Sequence, residues 1–203
     1  MRSDRDRQLG GKSAAPLRDG VERPVPFHDV LVLGRDVGGR QVLADAELRV
    51  GYETDWTRRF VGQSVAVVRP ATTDEVRSVV EVCRRNGASL VPQGGNTGLV
   101  GGSVPGTSGL SVVLSMSRMA RVREIDPVAG QATVEAGVTL AGLDDALRGS
   151  GWEFGVDLGA RASATLGGMV ATNAGGTRVL RHGSMRANLL GVEAVLGNGE
   201  VVS

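Results

Sequence analysis

A glycine cluster without charged residues lies between Val91 and Gly106, in the sequence VPQGGNTGLVGGSVPG. Glycine lets a backbone approach a ligand without Cβ clashes, and backbone N–H groups can supply the donors that a phosphate needs. The cluster lacks the lysine that follows the glycines of a Walker A loop and the GxGxxG spacing of a Rossmann loop. It therefore predicts either a phosphate-binding loop of another kind or a structural turn or linker.

A second cluster of glycines and small polar residues spans Asp157–Gly176, in the sequence DLGARASATLGGMVATNAGG. Its small residues would let the backbone approach a large flat ligand, and its hydroxyls and amides would anchor that ligand. The same composition is also typical of closely packed helices. Both interpretations stay open for this segment on its residues alone.

The first cluster follows a predicted strand–helix–strand unit. Val65–Val68 predicts a buried strand, the spacing of Thr72 and Glu75 predicts a capping box at a helix start, and Asn86–Gly87 predicts the helix end. Ser89–Pro92 predicts a second strand, parallel to the first because the crossover is helical. Ligands of open α/β sheets bind at the carboxyl edge of the strands, so this position favours the phosphate-binding interpretation.

Shorter elements are predicted further along the chain. They are a strand at Leu110–Leu114, a half-buried strand at Gln131–Val134, a helix at Thr139–Arg148, a helix start within Ser163–Thr172, and a hairpin with a type I′ turn at Asn198–Gly199. The second strand of the hairpin has barely begun at Ser203, so we expect the chain to be a piece of a longer product.

Composition excludes several classes of function. The 203 residues carry a formal net charge of +1 and only 3% aromatic residues, which argues against nucleic-acid binding. No apolar run approaches the roughly 20 residues of a transmembrane helix, and the charged N-terminus (residues 1–28) predicts a disordered arm rather than a secretory signal. Cys83 excludes an internal disulfide, predicts a small buried helix residue and fits a reducing cytoplasm. The two histidines lack ligand spacing, so no metal site is predicted.

Five ordered motifs resemble a known family. Read in chain order, TDWTRRFVGQ, VVRPATTDEV, PQGGNTGLVGGSVP, DLGARASATLGGMVATNAGG and RHGSMRANLLGVEAVLGNGE resemble the FAD-binding half of the FAD-linked oxidases of the vanillyl-alcohol-oxidase type. The similarity is strongest to the branch that oxidises D-2-hydroxyglutarate, D-lactate or glycolate, and it covers about residues 45–203. It implies an α+β FAD-binding domain over residues 29–203, with subdomains at about 61–123 and 124–203, incomplete at the C-terminus and without the substrate domain.

The resemblance also implies a cofactor and its binding residues. The loop from Pro92 would lie on the FAD pyrophosphate, Asp157–Gly159 would border the flavin, and the remaining residues would hold the ribityl chain, the pyrophosphate and the isoalloxazine edge. The complete set is Pro92, Gly94, Gly95, Asn96, Thr97, Gly98, Gly101, Gly102, Ser103, Asp157, Leu158, Gly159, Thr165, Leu166, Gly167, Gly168, Thr172, Asn173, Ala174, Gly175, Gly176 and Gly183.

Two positions depart from the family pattern. Asn96 stands where some relatives attach FAD through a histidine, which implies noncovalent FAD. His182 stands where many relatives have tyrosine, and both a flavin contact and a structural surface role stay open for it.

The activity implied by the resemblance is oxidation of a D-2-hydroxy acid by hydride transfer to flavin N5, with electrons passing to a separate acceptor. The catalytic base, the substrate clamp and the metal-binding histidines of such enzymes belong to the substrate domain, so no catalytic residue is assigned here. A homodimer is compatible with this interpretation. The alternative is a non-catalytic FAD-binding fragment or one subunit of a split oxidase.

Overall fold

The protein is described by a computed structural model that covers Arg35 and residues 37–203; the predicted N-terminal arm lies outside the described residues. A four-stranded sheet contains β1 (Val42–Leu43), β2 (Ser64–Val68), β3 (Ser89–Gln93) and β4 (Ser111–Ser115). Its spatial order is β1-β2-β4-β3, with β1 antiparallel to β2, and with β2, β4 and β3 parallel to one another. Helix α1 (Ala46–Glu53) precedes β2, and α2 (Thr73–Asn86) connects β2 to β3.

Thr72 caps the start of α2 as the sequence predicts, but the Glu75 carboxylate bonds one residue earlier than in a standard capping box. Thr72 Oγ1 accepts a hydrogen bond from the Glu75 amide at 3.2 Å, and Glu75 Oε2 accepts one from the Ala71 amide at 2.7 Å. The helix ends at Gly87, whose φ of 64° is easily adopted by glycine. The apolar face of α2, with Val79 and Cys83, is buried against the sheet.

Strand β4 lies between β2 and β3, an arrangement that local sequence signals do not reveal. All five residues of β4 are buried, which suits a central strand. Strand β3 lies at the sheet edge, where the absence of an N–H group on Pro92 is tolerated.

The second half of the chain contains small elements around its own apolar cluster. They are β5 (Val122–Asp126), β6 (Gln131–Val134), α3 (Leu140–Leu147), α4 (Leu166–Thr172) and the four-residue α5 (Val179–His182). The prediction of a half-buried β6 is wrong, because three of its four residues are exposed and only Val134 is partly buried. In the described residues β5 and β6 pair only with each other, and Val134 is the residue of β6 that packs against this apolar cluster.

The last hairpin joins β7 (Ala194–Val195) to β8 (Val201–Val202), but its turn is not the predicted type I′. The Leu196 amide donates to Glu200 O and the Gly199 amide to Leu196 O, both at 2.8 Å. Gly199 has a φ of 86°, whereas Asn198 does not have a positive φ. This is a three-residue loop closed by a left-handed glycine.

In the described residues, two larger apolar clusters form most of the core, and Ala66 is the centre of a third, small one. The first packs α2 on the four-stranded sheet, and the second gathers α3, α4 and the residues around Val156. Burial raises the pKa of Cys83 to about 11, so its thiol is protonated at neutral pH. Between residues 37 and 203, no helix is both long enough and apolar enough to cross a bilayer.

Candidate cofactor site

The first glycine loop, defined as residues 94–103, leaves the sheet at the carboxyl end of β3. Gln93, the last residue of β3, pairs with Ser115, the last residue of β4. Two parallel strands therefore end side by side at the start of the loop, which is the edge where open α/β sheets bind ligands.

The first glycine loop lies directly against the second glycine segment, defined as residues 157–176. A Cβ atom on Gly94 would overlap Thr165 Oγ1, and one on Gly95 would overlap Ser163 O. Only glycine therefore permits the observed approach of the two backbones. The structure thus brings together two regions that are about 70 residues apart in the sequence.

The backbone amides of the first glycine loop have no partner within the described part of the chain, since no N–H group of residues 94–103 donates to an acceptor there. Cβ atoms on Gly98 and Gly102 would meet no atom of the described residues within 4 Å, and both glycines are exposed. Because unpaired backbone donors favour an acceptor, this run of amides can bind an anion with several oxygen atoms.

The polar side chains of the loop are used differently from one another. The Asn96 side chain donates to Thr54 O at 2.8 Å and accepts from Ser103 Oγ at 2.7 Å. Thr97 forms no side-chain hydrogen bond within the described residues. The side chains expected to anchor a ligand are thus divided, with Asn96 and Ser103 engaged inside the protein and Thr97 available.

Glycines at the start of α4 serve packing as well as any ligand. The Gly167 amide donates to Ala136 O at 2.9 Å, and a Cβ on Gly167 would lie 2.7 Å from the Ala136 Cβ. Leu166 donates in the same way to Val138 O at 2.7 Å, and Gly168 donates to Thr165 Oγ1 at 3.3 Å. These three amides of the second glycine segment therefore already have hydrogen-bond acceptors within the protein.

The two ends of the second glycine segment also meet. The Thr177 amide donates to Asp157 O at 2.6 Å, and a Cβ on Gly176, whose φ is 79°, would overlap the same carbonyl. The Asp157 carboxylate forms an ion pair with Arg161. No atom of residues 37–203 lies within 4 Å of the Cβ position of Gly159, so the backbone beside Leu158 is open there.

The residues after α4 fold back onto its C-terminal end. Asn173 ends the helix with a φ of 49°, and its Oδ1 accepts hydrogen bonds from Ser184 Oγ at 2.8 Å and the Arg186 amide at 2.9 Å. Thr172 Oγ1 donates to Gly168 O at 2.9 Å. This fold-back carries Ala174, Gly175 and Gly183 to the same end of the helix, where Ala174 O accepts from the Met185 amide at 2.8 Å.

His182 packs within the protein and lines a surface cleft. A Cβ on Gly155 would lie 2.7 Å from the His182 Cβ and Cγ atoms. The cleft of about 470 Å³ is lined by Glu153, Thr177, Arg178, Leu180, Arg181 and His182, and none of these belongs to the first glycine loop. The described residues contain no group of three or more histidine, cysteine, aspartate or glutamate side chains placed to hold a metal ion.

A buried carboxylate anchors the loop that receives α4, that is, the loop whose carbonyl groups accept hydrogen bonds from the first amides of α4. Glu135 is 4% exposed and accepts hydrogen bonds from the side chains of Arg121 at 3.0 Å and Arg123 at 3.1 Å. Burial alone would raise the pKa of Glu135, but the hydrogen bonds from the two arginines and the Arg121 amide outweigh it and lower the pKa. The adjoining residues Ala136 and Val138 accept the amides of α4 described above.

Helix α1 and the turn after it support the site, although sequence reasoning gave them no role. Asp45 caps α1 by accepting from the Glu47 amide at 2.8 Å, a signal that could have revealed the helix. Asp55 is buried; burial would raise its pKa, but hydrogen bonds from Thr57 and Phe60 lower it. Asp55 closes a turn that places the Phe60 ring against Gly101. A Cβ atom on Gly101 would lie 2.6 Å from the Phe60 Cγ atom.

Comparison with known proteins identifies the class of this domain and then its family. The chain is 39% identical over 194 residues to the mitochondrial D-2-hydroxyglutarate dehydrogenase of Arabidopsis thaliana, which covers 95% of this chain and 34% of that protein. It is 41% identical over 193 residues to the mitochondrial D-2-hydroxyglutarate dehydrogenase of Bos taurus, and this match covers 93% of this chain and 35% of that protein. A solved structure of alkyldihydroxyacetonephosphate synthase shares the fold, with a TM-score of 0.77 at 20% identity, and the match covers 89% of this chain and 35% of that chain.

The fold is therefore an FAD-binding domain of the vanillyl-alcohol-oxidase type, as the motifs predicted. The FAD-binding domain family matches residues 64–203, and the chain belongs to this family. Its predicted α+β class, its FAD cofactor and its resemblance to D-2-hydroxy-acid dehydrogenases are confirmed. The chain spans about a third of the length of the curated relatives it matches.

The prediction of a cytoplasmic location is wrong. It rested on the lone Cys83, whereas the relatives from Arabidopsis thaliana and Bos taurus are both named as mitochondrial enzymes. A free cysteine indicates a reducing environment and does not tell one reducing compartment from another.

The residues present fit FAD. The cofactor has an anionic diphosphate, and the first glycine loop offers consecutive amides that have no acceptor among residues 37–203, beside the open positions of Gly98 and Gly102. The loop can approach a diphosphate because glycine has no Cβ to hold the two apart.

Proposed function

We propose that this chain is the FAD-binding portion of a dehydrogenase that oxidises a D-2-hydroxy acid of the 2-hydroxyglutarate, lactate or glycolate class. The names of its relatives support the substrate class. The observation that carries the proposal is the run of amides in the first glycine loop that find no acceptor in the part of the chain the structure describes. Ser163 and Thr165 close this loop on one side.

In the proposed complex, the amides of the first glycine loop hold the diphosphate, with Gly98 and Gly102 at the points of closest approach. The Thr97 hydroxyl adds a donor. Leu158–Gly159, where the second glycine segment is open within the described residues, and Gly175, which packs beside Val179, border the rest of the cofactor. For the remaining predicted residues, from Thr165 to Gly183, the proposed contacts are apolar surfaces and backbone groups other than the amides of residues 166–168. Those amides and the Thr172 and Asn173 side chains already bond within the protein.

The proposal includes noncovalent attachment. Asn96 has no nucleophilic side chain, and both ends of its amide are already hydrogen-bonded, to Thr54 O and to Ser103 Oγ. Retention of FAD then depends on hydrogen bonds and shape alone. We expect denaturation to release all of the flavin from the polypeptide.

When bound, FAD supplies a hydride acceptor at N5 of its flavin ring. The described residues contribute binding, orientation and the exclusion of water from the diphosphate. We assign the general base and the groups that clamp the hydroxy acid to the roughly two thirds of the relatives' length that this chain does not span. The electron acceptor is proposed to be a separate molecule, and homodimer formation stays a prediction.

The test is an absorption spectrum of the purified full-length protein that contains this chain, followed by anaerobic addition of D-2-hydroxyglutarate, D-lactate or glycolate. We expect a flavin spectrum, bleached by at least one of these acids and unchanged by the L-enantiomers of the chiral ones. A colourless protein that takes up no added FAD would contradict the proposal. Bound flavin that none of the acids bleaches would favour the alternative of a non-catalytic FAD-binding module.

A further inference from the structure

The structure assigns a positioning role to Gln93, Asn96 and Ser103: their side-chain and carbonyl hydrogen bonds hold the first glycine loop in the shape that leaves its backbone amides free for a diphosphate. We name these three residues the loop clamp. The inference rests on the proposed function, because FAD is the ligand for which the loop is held ready.

Ser103 is the point at which the clamp closes. Its carbonyl oxygen accepts a hydrogen bond from Gln93 Nε2 at 2.8 Å, and its hydroxyl donates to Asn96 Oδ1 at 2.7 Å. Gln93 precedes the first residue of the loop and Ser103 is its last residue, so these bonds tie the two ends of the loop together. Gln93 is only 3% exposed, and the tie is shielded from water.

The clamp is also fixed to helix α1. Gln93 Nε2 donates to Tyr52 O and Asn96 Nδ2 donates to Thr54 O, both at 2.8 Å. These carbonyls lie at the C-terminal end of α1, where a helix leaves its last carbonyl groups without intrahelical partners. Two neutral side-chain amides therefore satisfy the end of a helix and hold the glycine loop at the same time.

The clamp explains why the loop amides remain free. Asparagine and serine side chains often accept hydrogen bonds from nearby backbone amides in turns, which would occupy the donors of this loop. Here the Asn96 and Ser103 side chains bond to each other, and Asn96 adopts a φ of 52°, which asparagine tolerates better than most residues. A loop already held in its binding shape loses less conformational entropy when the ligand binds.

The experiment compares single variants of the full-length protein from which FAD has been removed, titrated with FAD by calorimetry. Ser103→Ala removes one clamp bond and should raise the Kd for FAD by roughly threefold to tenfold. Ser103→Thr keeps the hydroxyl and should restore affinity close to that of the wild type. Asn96→Gly permits the same φ but removes two bonds, and its loss should be roughly tenfold or more.

Ser150→Ala is the control, because Ser150 Oγ also donates a partly buried hydrogen bond of 2.7 Å, to Leu147 O, and its second partner, the Trp152 amide, likewise lies outside the first glycine loop. It should leave the Kd for FAD unchanged. Thermal unfolding with and without FAD separates positioning from general stability: the stabilisation that saturating FAD adds should shrink in Ser103→Ala and stay at the wild-type value in Ser150→Ala.

Equal FAD affinity in wild type, Ser103→Ala and Asn96→Gly would overturn the inference and leave the proposed function intact. Equal loss in Ser103→Ala and Ser103→Thr would also overturn it, because the hydroxyl would then not be the group that matters. A wild-type protein that binds no FAD would overturn the proposed function, and the inference with it.

Discussion

The first glycine loop and the second glycine segment are both rich in glycine, yet glycine does different work in each. In the first loop, Gly98 and Gly102 face open space and the amides have no partners in the described residues. In the second segment, Gly167 and Gly176 face protein atoms that any side chain would displace. The first region is thus prepared for a ligand, and the second is built mainly to bring its own backbones together.

Gly94 and Gly95 show that the division does not follow sequence boundaries. They belong to the first loop, but their Cβ positions are occupied by Thr165 and Ser163 of the second segment. The number of glycines in a cluster therefore predicts close approach without telling what is approached. The distinction lies in whether the space beside each Cα is filled by the protein or left open.

The largest effect is expected from alanine at a packing glycine. Gly176→Ala would place a Cβ on Asp157 O at a position with a φ of 79°. Overpacking and the left-handed conformation together should lower the free energy of unfolding by about 2–5 kcal/mol. Gly191→Ala, which meets no atom within 4 Å, should change it by less than about 0.5 kcal/mol. Urea unfolding measures both, and equal stability of the two variants would contradict the assigned packing role.

A substitution at an open glycine should affect flavin binding instead of stability. Gly98→Val should raise the Kd for FAD by roughly tenfold to a hundredfold, because its side chain would occupy the space proposed for the diphosphate. Unfolding of the flavin-free protein should be almost unchanged, since Gly98 meets no atom and does not have a positive φ. Gly106→Val is the control, with the same open surroundings outside the loop. If Gly98→Val bound FAD with the affinity of the wild type, the diphosphate would not lie beside Gly98.

A smaller effect should separate one hydroxyl in each region. Thr97→Val removes the hydroxyl that has no partner in the described residues and should weaken FAD binding by roughly twofold to tenfold. Thr172→Val removes a hydroxyl that already donates to Gly168 O, so its effect on the Kd should be less than about twofold. Titration of the flavin-free proteins measures both values. A larger loss for Thr172→Val than for Thr97→Val would reverse the proposed roles of the two regions.

The sequence predicted the elements whose signals are local. The cap at Thr72, the apolar face of α2 and the glycine at its end all lie within one short stretch, and the structure has the helix as expected. The position of β4 between β2 and β3 could not be predicted, because pairing depends on contacts between residues distant in the sequence. The predicted type I′ turn at Asn198–Gly199 was wrong for a related reason. The same dipeptide fits both a two-residue turn and a three-residue loop closed by glycine.

The site was predicted as a set of residues and not as a set of interactions. The motifs indicated that the two glycine-rich regions serve one cofactor, and the structure places Gly95 against Ser163. The engagement of Asn96 with Thr54 and Ser103 could not be predicted, since it depends on α1, which had not been recognised. Which polar side chain faces the ligand is decided by such partners and not by residue type.

The smallest expected effect is a change of stability with pH. It distinguishes the residues that hold the first glycine loop from the residue that anchors the start of α4 in the second glycine segment. The loop clamp consists of two amides and a hydroxyl and contains no titratable side chain, whereas the loop that receives α4 is anchored by the Glu135 carboxylate. Because folding lowers the pKa of Glu135, its stabilising effect is fully present above the unfolded pKa of about 4.3. That effect is lost as the pH falls through the lower folded pKa.

We therefore expect the difference in melting temperature between wild type and Glu135→Gln to be constant from pH 7 to about 5 and to shrink below that range. Glu124→Gln, at an exposed carboxylate that forms no ion pair in the described residues, should show a smaller change with pH. Hydrogen exchange adds the regional readout: acid should deprotect the Leu166 and Gly167 amides, corrected for intrinsic rates, more strongly in wild type than in Glu135→Gln. If the difference in melting temperature between wild type and Glu135→Gln did not depend on pH, Glu135 would support α4 by its shape and not by its charge. The contrast between a neutral loop clamp and an ionic anchor would then be wrong.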